Sequence, residues 1–445
     1  MERDIIMKAL GLDIGTTTLC LTVIDATTGS TIESTTLPND SFVAGQPFER
    51  LQDPAQILQK ARELVNATAA KYDDIAALGV TGQMHGMLYL NAAGIAVSLL
   101  ATWQDERGNQ LLNDATYAQR LSSATGFGAV THYYNTLNHQ IPADAVIFCT
   151  IHDYVAMRLA GAKSPLVNVT DAASFGLFDL TTGQFDHAAI EAAGMSPALF
   201  PQVTAGAARL GSTEHDIPVF SAIGDNQASF IGSVREPEKS VLVNVGTGSQ
   251  ISFYTGNASP GALEVRPMPI AGHLKVGAAL CGGRAYAALE QFFRQAISLA
   301  GHEAGNLYPA MDALAETAPS HPLEILTCFS GTRVSPDLRG SINNLGLENF
   351  TPAHFIHGVL AGTVNELYNM YKSAGQFEHS ILVASGNAVR RGAPLRRIFA
   401  ETFGMPLQIP VHKEEAAYGA ALFALVGAGK FASLDDAQKL IQYRE

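Results

Sequence analysis

The chain has little that would cross-link it, anchor it in a bilayer or draw it onto a polyanion. Only four of its 445 residues are cysteine, at 20, 149, 281 and 328, and no two form a C-x-x-C pair. That spacing excludes a disulfide framework or a zinc ribbon and fits buried free thiols in a reducing compartment. No dense Lys/Arg run occurs and the net charge is −13, which argues against nucleic acid or an anionic membrane as partner. Long apolar runs are missing as well. The longest, 416–429, is rich in Ala and Gly and is interrupted by Tyr418, so it reads as a buried helix. The first eight residues carry Glu2 and Asp4 and no apolar segment, unlike a secretory leader, and a cytoplasmic location is expected. Tryptophan occurs once, at position 103.

What is present is a chain too long for one core, with 47% hydrophobic and 16% charged residues and 41 glycines. These values predict a loop-rich globular protein of two domains, placed here at residues 1–222 and 223–445.

The organising stretch is Leu10–Leu21. Apolar residues run up to Asp13; Gly15 is followed by Thr16, Thr17 and Thr18, and Leu19, Leu21 and Val23 alternate as a return strand. A strand, a tight Gly-Thr turn and an antiparallel strand expose successive backbone N–H groups, a concavity that holds phosphate oxygens. Gly15 permits close approach and the hydroxyls add donors. Asp13, at the strand end, is placed to hold a hydrated Mg²⁺ against such phosphates. The same pattern returns in Val241–Phe253, with Asn244 in the place of Asp13 and Gly246, Thr247, Gly248 and Ser249 at the turn. A second carboxylate would repel phosphate where an amide does not. Two phosphate-gripping hairpins, one per half, point to duplicated domains closing on one cleft, the plan of the actin/hexokinase-type ATPase fold.

Between the hairpins, Asp53-Pro54 marks a helix start, with Ile57, Ala61, Leu64 and Val65 as its inner stripe. A buried strand, Ile75–Thr81, then delivers Gln83, Met84 and His85 to its carboxyl end, where ligands bind in α/β domains. From that hexapeptide alone a structural and a functional His85 are equally compatible. Trp103, Asp105 and Arg107 combine a flat apolar face with directed hydrogen bonds, a mixture suited to a polyhydroxylated molecule. Ala145–Leu159 reads as a strand running into a helix, and Asn168–Phe178 as a polar turn at the cleft edge. A strand from Pro218 delivers Gly224, Asp225, Asn226 and Gln227 to a helix start. An Asp there is either a cap or the group that accepts a proton from a hydroxyl attacking a γ-phosphate.

In the second half, Gly282 and Gly283 lead into a helix over 287–300 with Leu289, Phe292, Phe293, Ala296 and Ile297 on its apolar side. Phe329–Gly340 reads as an irregular loop and Thr351–Tyr371 as a long helix. The strand Ile381–Ser385 ends at Gly386, Asn387 and Arg390, a turn against which adenine and ribose could lie.

Taken together, residues 8 to about 428 resemble the FGGY carbohydrate kinases. Asp13–Thr18 is similar to the family's first phosphate motif, Asn244–Ser249 to its second and Ser385–Gly392 to its adenosine motif. Gly224-Asp225 resembles the segment carrying the catalytic base, and Asp337-Leu-Arg-Gly340 the family's Asp-x-Arg-Gly loop. Gln83-Met-His-Gly86 is similar to the ketose-kinase branch and unlike the Arg-Glu of glycerol kinases. Thr150–Ala156, Val169–Gly176 and Trp103–Arg107 look most like sedoheptulokinases. The resemblance implies an α/β protein of two ribonuclease H-like domains and transfer of phosphate from ATP, with Mg²⁺, to a terminal hydroxyl of a ketose. Sedoheptulose is the first expectation, and xylulose or another ketose or polyol the alternative. It further implies Asp225 as base, Asp13 at the metal, and Gln83, Met84, His85, Trp103, Asp105, Arg107 and Asn226 around the sugar. Nucleotide contacts would fall to Gly15, Thr16, Thr17, Thr18, Gly246, Thr247, Gly248, Gly282, Gly283, Gly386, Asn387 and Arg390. A homodimer is compatible with the resemblance. So, from another class, is a sugar sensor that cycles nucleotide without making a sugar phosphate.

Overall fold

A computed structural model describes residues 7–259, 261–317, 319–332, 335 and 337–444. Only the elements used below are numbered. The first hairpin forms as its pattern predicts: β1 (Lys8–Ile14) pairs antiparallel with β2 (Thr18–Asp25), and β2 with β3 (Thr31–Pro38). On the other side of β1, β4 (Ile75–Gly82) runs parallel. It reaches that place through α1 (Pro54–Ala69), whose N-cap Asp53 accepts from the Ala55 amide. Beyond β4 come β6 (Pro218–Phe220), parallel, and the edge strand β5 (Arg209–Ser212). A short strand, β7 (Ile223–Gly224), pairs with the end of β4 and hands the chain to α4 (Asp225–Ser233).

The second sheet repeats this order. β8 (Ser240–Val245) pairs antiparallel with β9 (Ser249–Thr255), and β9 with β11 (His273–Ala279). β12 (Ile381–Ser385) lies parallel to β8, followed by β13 (Leu407–Gln408), while β10 (Glu264–Pro267) forms the opposite edge. Three antiparallel strands and then two parallel ones therefore occur twice, so the duplication visible in the hairpins extends through both sheets.

Each sheet has its own apolar cluster, one drawn from residues 10–222 and one from 241–409. A third cluster joins them, with Ile223, Phe230, Leu242, Val276, Tyr418 and Phe423 among its members. At its centre is α8 (Glu415–Gly427), apolar on nearly every side and therefore buried. It packs on β1, β4 and α4. Glycines let the backbones touch there: a Cβ on Gly79 would stand 1.9 Å from the Ala420 carbonyl oxygen, and one on Gly419 1.9 Å from that of Ala228.

Two expectations need correction. Residues 169–175 form a helix, α3 (Val169–Phe175), between α2 (Ile151–Leu159) and the sheet end, instead of a polar turn. Asn168 caps it by accepting from the Thr170 amide, and burial of Val169, Ala172 and Phe175 outweighs its polar composition. Helix α5 (Gly283–Leu299) begins earlier than expected and buries only part of its apolar stripe: Leu289 joins the core and Phe293 packs on it, but Phe292 is 57% exposed. The long helix α6 (Pro352–Ser373) forms close to its expected place. Of the loop 329–340, Arg333, Val334 and Pro336 lie outside the described residues, and the rest carries turns but no helix or strand. Among the described residues no helix is long and apolar enough to cross a membrane.

Candidate active site

The carboxyl ends of three strands meet at one point. Asp13 on β1 is level with Thr81 on β4, Thr81 with Ile223 on β7, and the Thr81 hydroxyl donates to the Ile223 carbonyl at 2.7 Å. Asp13 and Asp225 thus come from separate strand ends onto one cleft floor, each half-buried. Burial by the cleft walls, followed by repulsion from Asp225 and Glu414, pushes the Asp13 carboxyl up to about 7, against the pull of His152. Burial likewise raises Asp225 to about 6, although His152 and Arg266 favour its ionised form. Asp13, at the mouth of the first turn, is thus the carboxylate whose charge a divalent cation would relieve.

The first turn is closed by Gly15 N–H donating to the Thr18 carbonyl at 2.9 Å. Thr16 then links it to the sugar-type residues. Its hydroxyl accepts from Trp103 Nε1 at 3.0 Å and donates to Gln83 Oε1 at 3.1 Å. Gln52 completes the ring, donating to the Thr16 carbonyl and accepting from Gln83 Nε2, both at 2.8 Å. Trp103 remains 44% exposed and Thr17 and Thr18 are exposed. His85 has a left-handed backbone, φ 72°, a conformation rare outside glycine. The Ser174 hydroxyl accepts its N–H at 3.2 Å, its Nδ1 lies 2.8 Å from the Ser174 carbonyl, and its ring stacks on Phe127 at 4.3 Å. Donation from Nδ1 selects the tautomer in which Nε2 is the acceptor.

Asp105 and Arg107 are buried and tied to each other, Nε to Oδ1 at 2.7 Å. Asp105 also accepts the Arg50 amide, and Arg107 reaches Asn135 Oδ1 at 2.7 Å, so this pair braces the wall behind the loop. Met84 is buried against Gly224, with its sulfur 3.9 Å from Arg266. Asn226 reaches the second sheet, its amide donating to Gln250 Oε1 on β9 at 2.9 Å.

Around the second turn, Gly246 N–H donates to the Gly248 carbonyl at 3.0 Å, and Gly282 and Gly283 donate to Thr247 and Gly246 at 3.0 and 2.8 Å. A Cβ on Gly282 would stand 2.3 Å from the Gly248 carbonyl oxygen. Gly386, φ 89°, is also pressed close to Val245, whose carbonyl oxygen would stand 2.6 Å from an added Cβ. From this junction a cavity of about 570 Å³ opens, lined by Gly282, Gly283, Tyr286, Tyr308, Asn387 and Arg391 among others. Asn387 begins α7 (Asn387–Arg391). Arg390 turns away to the Pro410 carbonyl and Glu415, and its neighbour Arg391 faces the cavity instead. Sequence reasoning passed over Gln52, Tyr286, Tyr308 and Arg266. Tyr286 lies in the first turn of α5, just after Gly283, where the expected helix had not yet begun, and long-range packing brings the other three here.

The N-terminal domain of the FGGY family of carbohydrate kinases matches residues 8–232, and its C-terminal domain residues 246–428. The chain belongs to that family. This FGGY kinase is an ATP-dependent sugar kinase built on two ribonuclease H-like domains. It is 28% identical to the sedoheptulokinase of Mus musculus, over 94% of this chain and 97% of that protein. In fold it is similar to a xylulose kinase from Lactobacillus acidophilus, with TM-score 0.87, 18% identity and 99% and 93% of the two chains covered. It is also similar to a glycerol kinase from Plasmodium falciparum solved with ADP, with TM-score 0.82, 18% identity and 99% and 93% coverage.

Proposed function

We propose that this FGGY kinase transfers the γ-phosphate of ATP to a terminal hydroxyl of a ketose, with sedoheptulose giving sedoheptulose 7-phosphate. The observation that supports this most is the Thr16–Gln83–Trp103 ring, which joins the first glycine–threonine turn, next to Asp13, to a ring-and-amide surface. The choice of sedoheptulose is supported by similarity to the mouse sedoheptulokinase over nearly the whole of both chains.

In this reading Asp225 orients the hydroxyl and accepts its proton, a task that needs placement more than strong basicity. Gly15–Thr18 and Gly246–Gly248 donate to the phosphates from opposite sides. Gly282, Gly283, Gly386 and Asn387 border the adenosine, with the rings of Tyr286 and Tyr308, 5.8 Å apart, along the cavity wall. Asp13 would hold Mg²⁺, which supplies neutralisation of phosphate charge when bound. Gln83, Met84, His85, Trp103 and Asn226 contact the sugar, and Asp105 and Arg107 keep the loop in place. The four cysteines are free and buried, which supports a reducing, cytoplasmic setting.

A panel of C5–C7 ketoses assayed with ATP and Mg²⁺ tests the reading, with sedoheptulose expected to give the highest kcat/KM. A tenfold preference for xylulose would reassign the sugar, and ADP release independent of every ketose would overturn the reading. Because Trp103 is the chain's single tryptophan, its emission reports the site directly. Saturating ketose should shift that emission to the blue by displacing water from the ring, and an unchanged spectrum would remove Trp103 from the sugar surface.

A further inference from the structure

The carbonyls of the first turn are held from behind. Asn39 Nδ2 donates to the Gly15 carbonyl at 2.9 Å, Gln52 Nε2 to that of Thr16 at 2.8 Å, and the Asn39 amide to that of Thr17 at 2.8 Å. A trans peptide unit is planar, with its C=O and N–H on opposite sides. Gripping these carbonyls therefore aims the N–H groups of the next residues, Thr16, Thr17 and Thr18, away from Asn39 and Gln52. Among the described residues nothing accepts from the Thr16 or Thr17 N–H. Both clamps are buried, Gln52 completely.

Gln52 differs from Asn39 in its second partner. Its Oε1 accepts from Gln83 Nε2, whose Oε1 in turn accepts from the Thr16 hydroxyl. Trp103 Nε1, at one end of this chain of bonds, can only donate, and the Thr16 carbonyl, at the other, can only accept. Every amide and hydroxyl between them is thereby left with one satisfied orientation. Gln52 thus sets which way the Gln83 amide faces. Its own backbone is anchored separately: the strand Leu51–Gln52 lies between Phe42–Val43 and Leu100–Ala101, two residues ahead of Trp103.

We propose that Gln52 is a positioning residue that couples the two substrates, its one side-chain amide aiming the Thr17 N–H at phosphate and orienting Gln83 for the ketose. The inference rests on the reading that the first turn takes phosphate and Gln83 the sugar. Nucleotide bound at the turn fixes the Thr16 peptide, and with it Gln52 and Gln83. A ketose arriving second meets a surface already ordered and binds more tightly. By linkage, ketose tightens nucleotide by the same factor. Asn39 grips the same turn without a bond to Gln83, so it steadies the phosphate side alone. Gln52 acts through Thr16 and Gln83 and touches neither reacting atom.

Calorimetry on the full chain measures Kd for sedoheptulose, or for D-xylulose if that is turned over faster, with and without saturating AMP-PNP and Mg²⁺. In the parent the nucleotide should tighten ketose binding about tenfold. Gln52→Met keeps the length of the side chain but removes both amide bonds. Its coupling factor should fall to within about twofold of one, and its kcat/KM for the ketose about tenfold. Asn39→Ser loosens the same turn without touching Gln83 and should keep the parental factor. A parental factor in Gln52→Met, or an equal loss in both variants, would make Gln52 a purely structural amide and overturn the proposal. So would a factor of one in the parent. Should Gln52→Met fail to fold, Gln52→Glu at pH 9 decides, because its carboxylate opposes the Thr16 carbonyl, and a parental factor there overturns the proposal equally. ADP release with no sugar phosphate formed would fail the underlying reading, whereas ketose phosphorylation without coupling fails the inference alone.

Discussion

Replacing Asp225 by Asn lowers kcat by about 10³-fold or more, with a melting temperature equal to or above that of the parent. The amide keeps the size and hydrogen-bonding reach of the carboxyl but cannot accept the hydroxyl proton. Ketose binding, followed by Trp103 emission, should persist, because Gln83, Met84, His85 and Trp103 are untouched. The stability half of the expectation follows from the sign of the shift. The folded-state value, about 6, lies above the ordinary 3.8, so the ionised side chain costs stability at any pH above both. An uncharged amide carries no such cost at pH 7. A purely structural acid would behave in the opposite way, losing stability on substitution while turnover survived. A variant that melts lower and retains most of its kcat would therefore sink the assignment.

Gly79→Val destabilises the protein by about 3 kcal/mol or more, at the upper end of what overpacking costs, and lowers its melting temperature by about 5 °C or more. The new Cβ would sit 1.9 Å from the Ala420 carbonyl oxygen and 2.5 Å from its carbon, both backbone atoms of α8. Side chains can rotate out of such a clash. A buried helix cannot, because Gly11 meets Ala417 one strand away and Gly419 meets Ala228 on the other side. The same seam carries the third apolar cluster, so separation there loosens both halves. Gly305→Ala is the control: that glycine has open space around its missing Cβ and should leave the melting temperature within about 1 °C. Equal melting of the two variants would show that α8 does not lock against the sheet.

The two glycine-and-hydroxyl turns were legible in the chain alone, for a local reason. A turn that exposes amides needs glycine and small hydroxyl residues within a few positions, so Gly15–Thr18 and Gly246–Ser249 announce themselves. The return strands alternate because one face is buried. Repetition of one such turn in each half then carries the architecture, and the sheets repeat in the same order. Gln83 and Trp103 could be picked out as strand-end and loop residues. Their shared bond to Thr16 could not, because 67 and 87 positions separate them from it.

The misread segments share a cause. Asn168–Phe178 looked polar and therefore exposed, yet Asp171 is buried because His152 is buried with it. Ionisable groups can be taken from water when they are taken together, and no local pattern marks a pair whose members lie on different helices. Arg390 and Arg391 are adjacent and chemically alike, and only the path of α7 turns the second towards the cavity and the first towards Glu415.

Short-range chemistry in the sequence by itself determined the two glycine-rich turns, the strand that leads to Asp225 and the doubled α/β plan, because backbone conformation and one-sided burial are decided within a few residues. Tertiary structure alone decided what surrounds Asp225: a histidine and an arginine from other elements, an amide bridge to the second sheet and a helix seated on glycines. Electrostatic energies depend on distance through space, and that distance is set only when both sheets have packed.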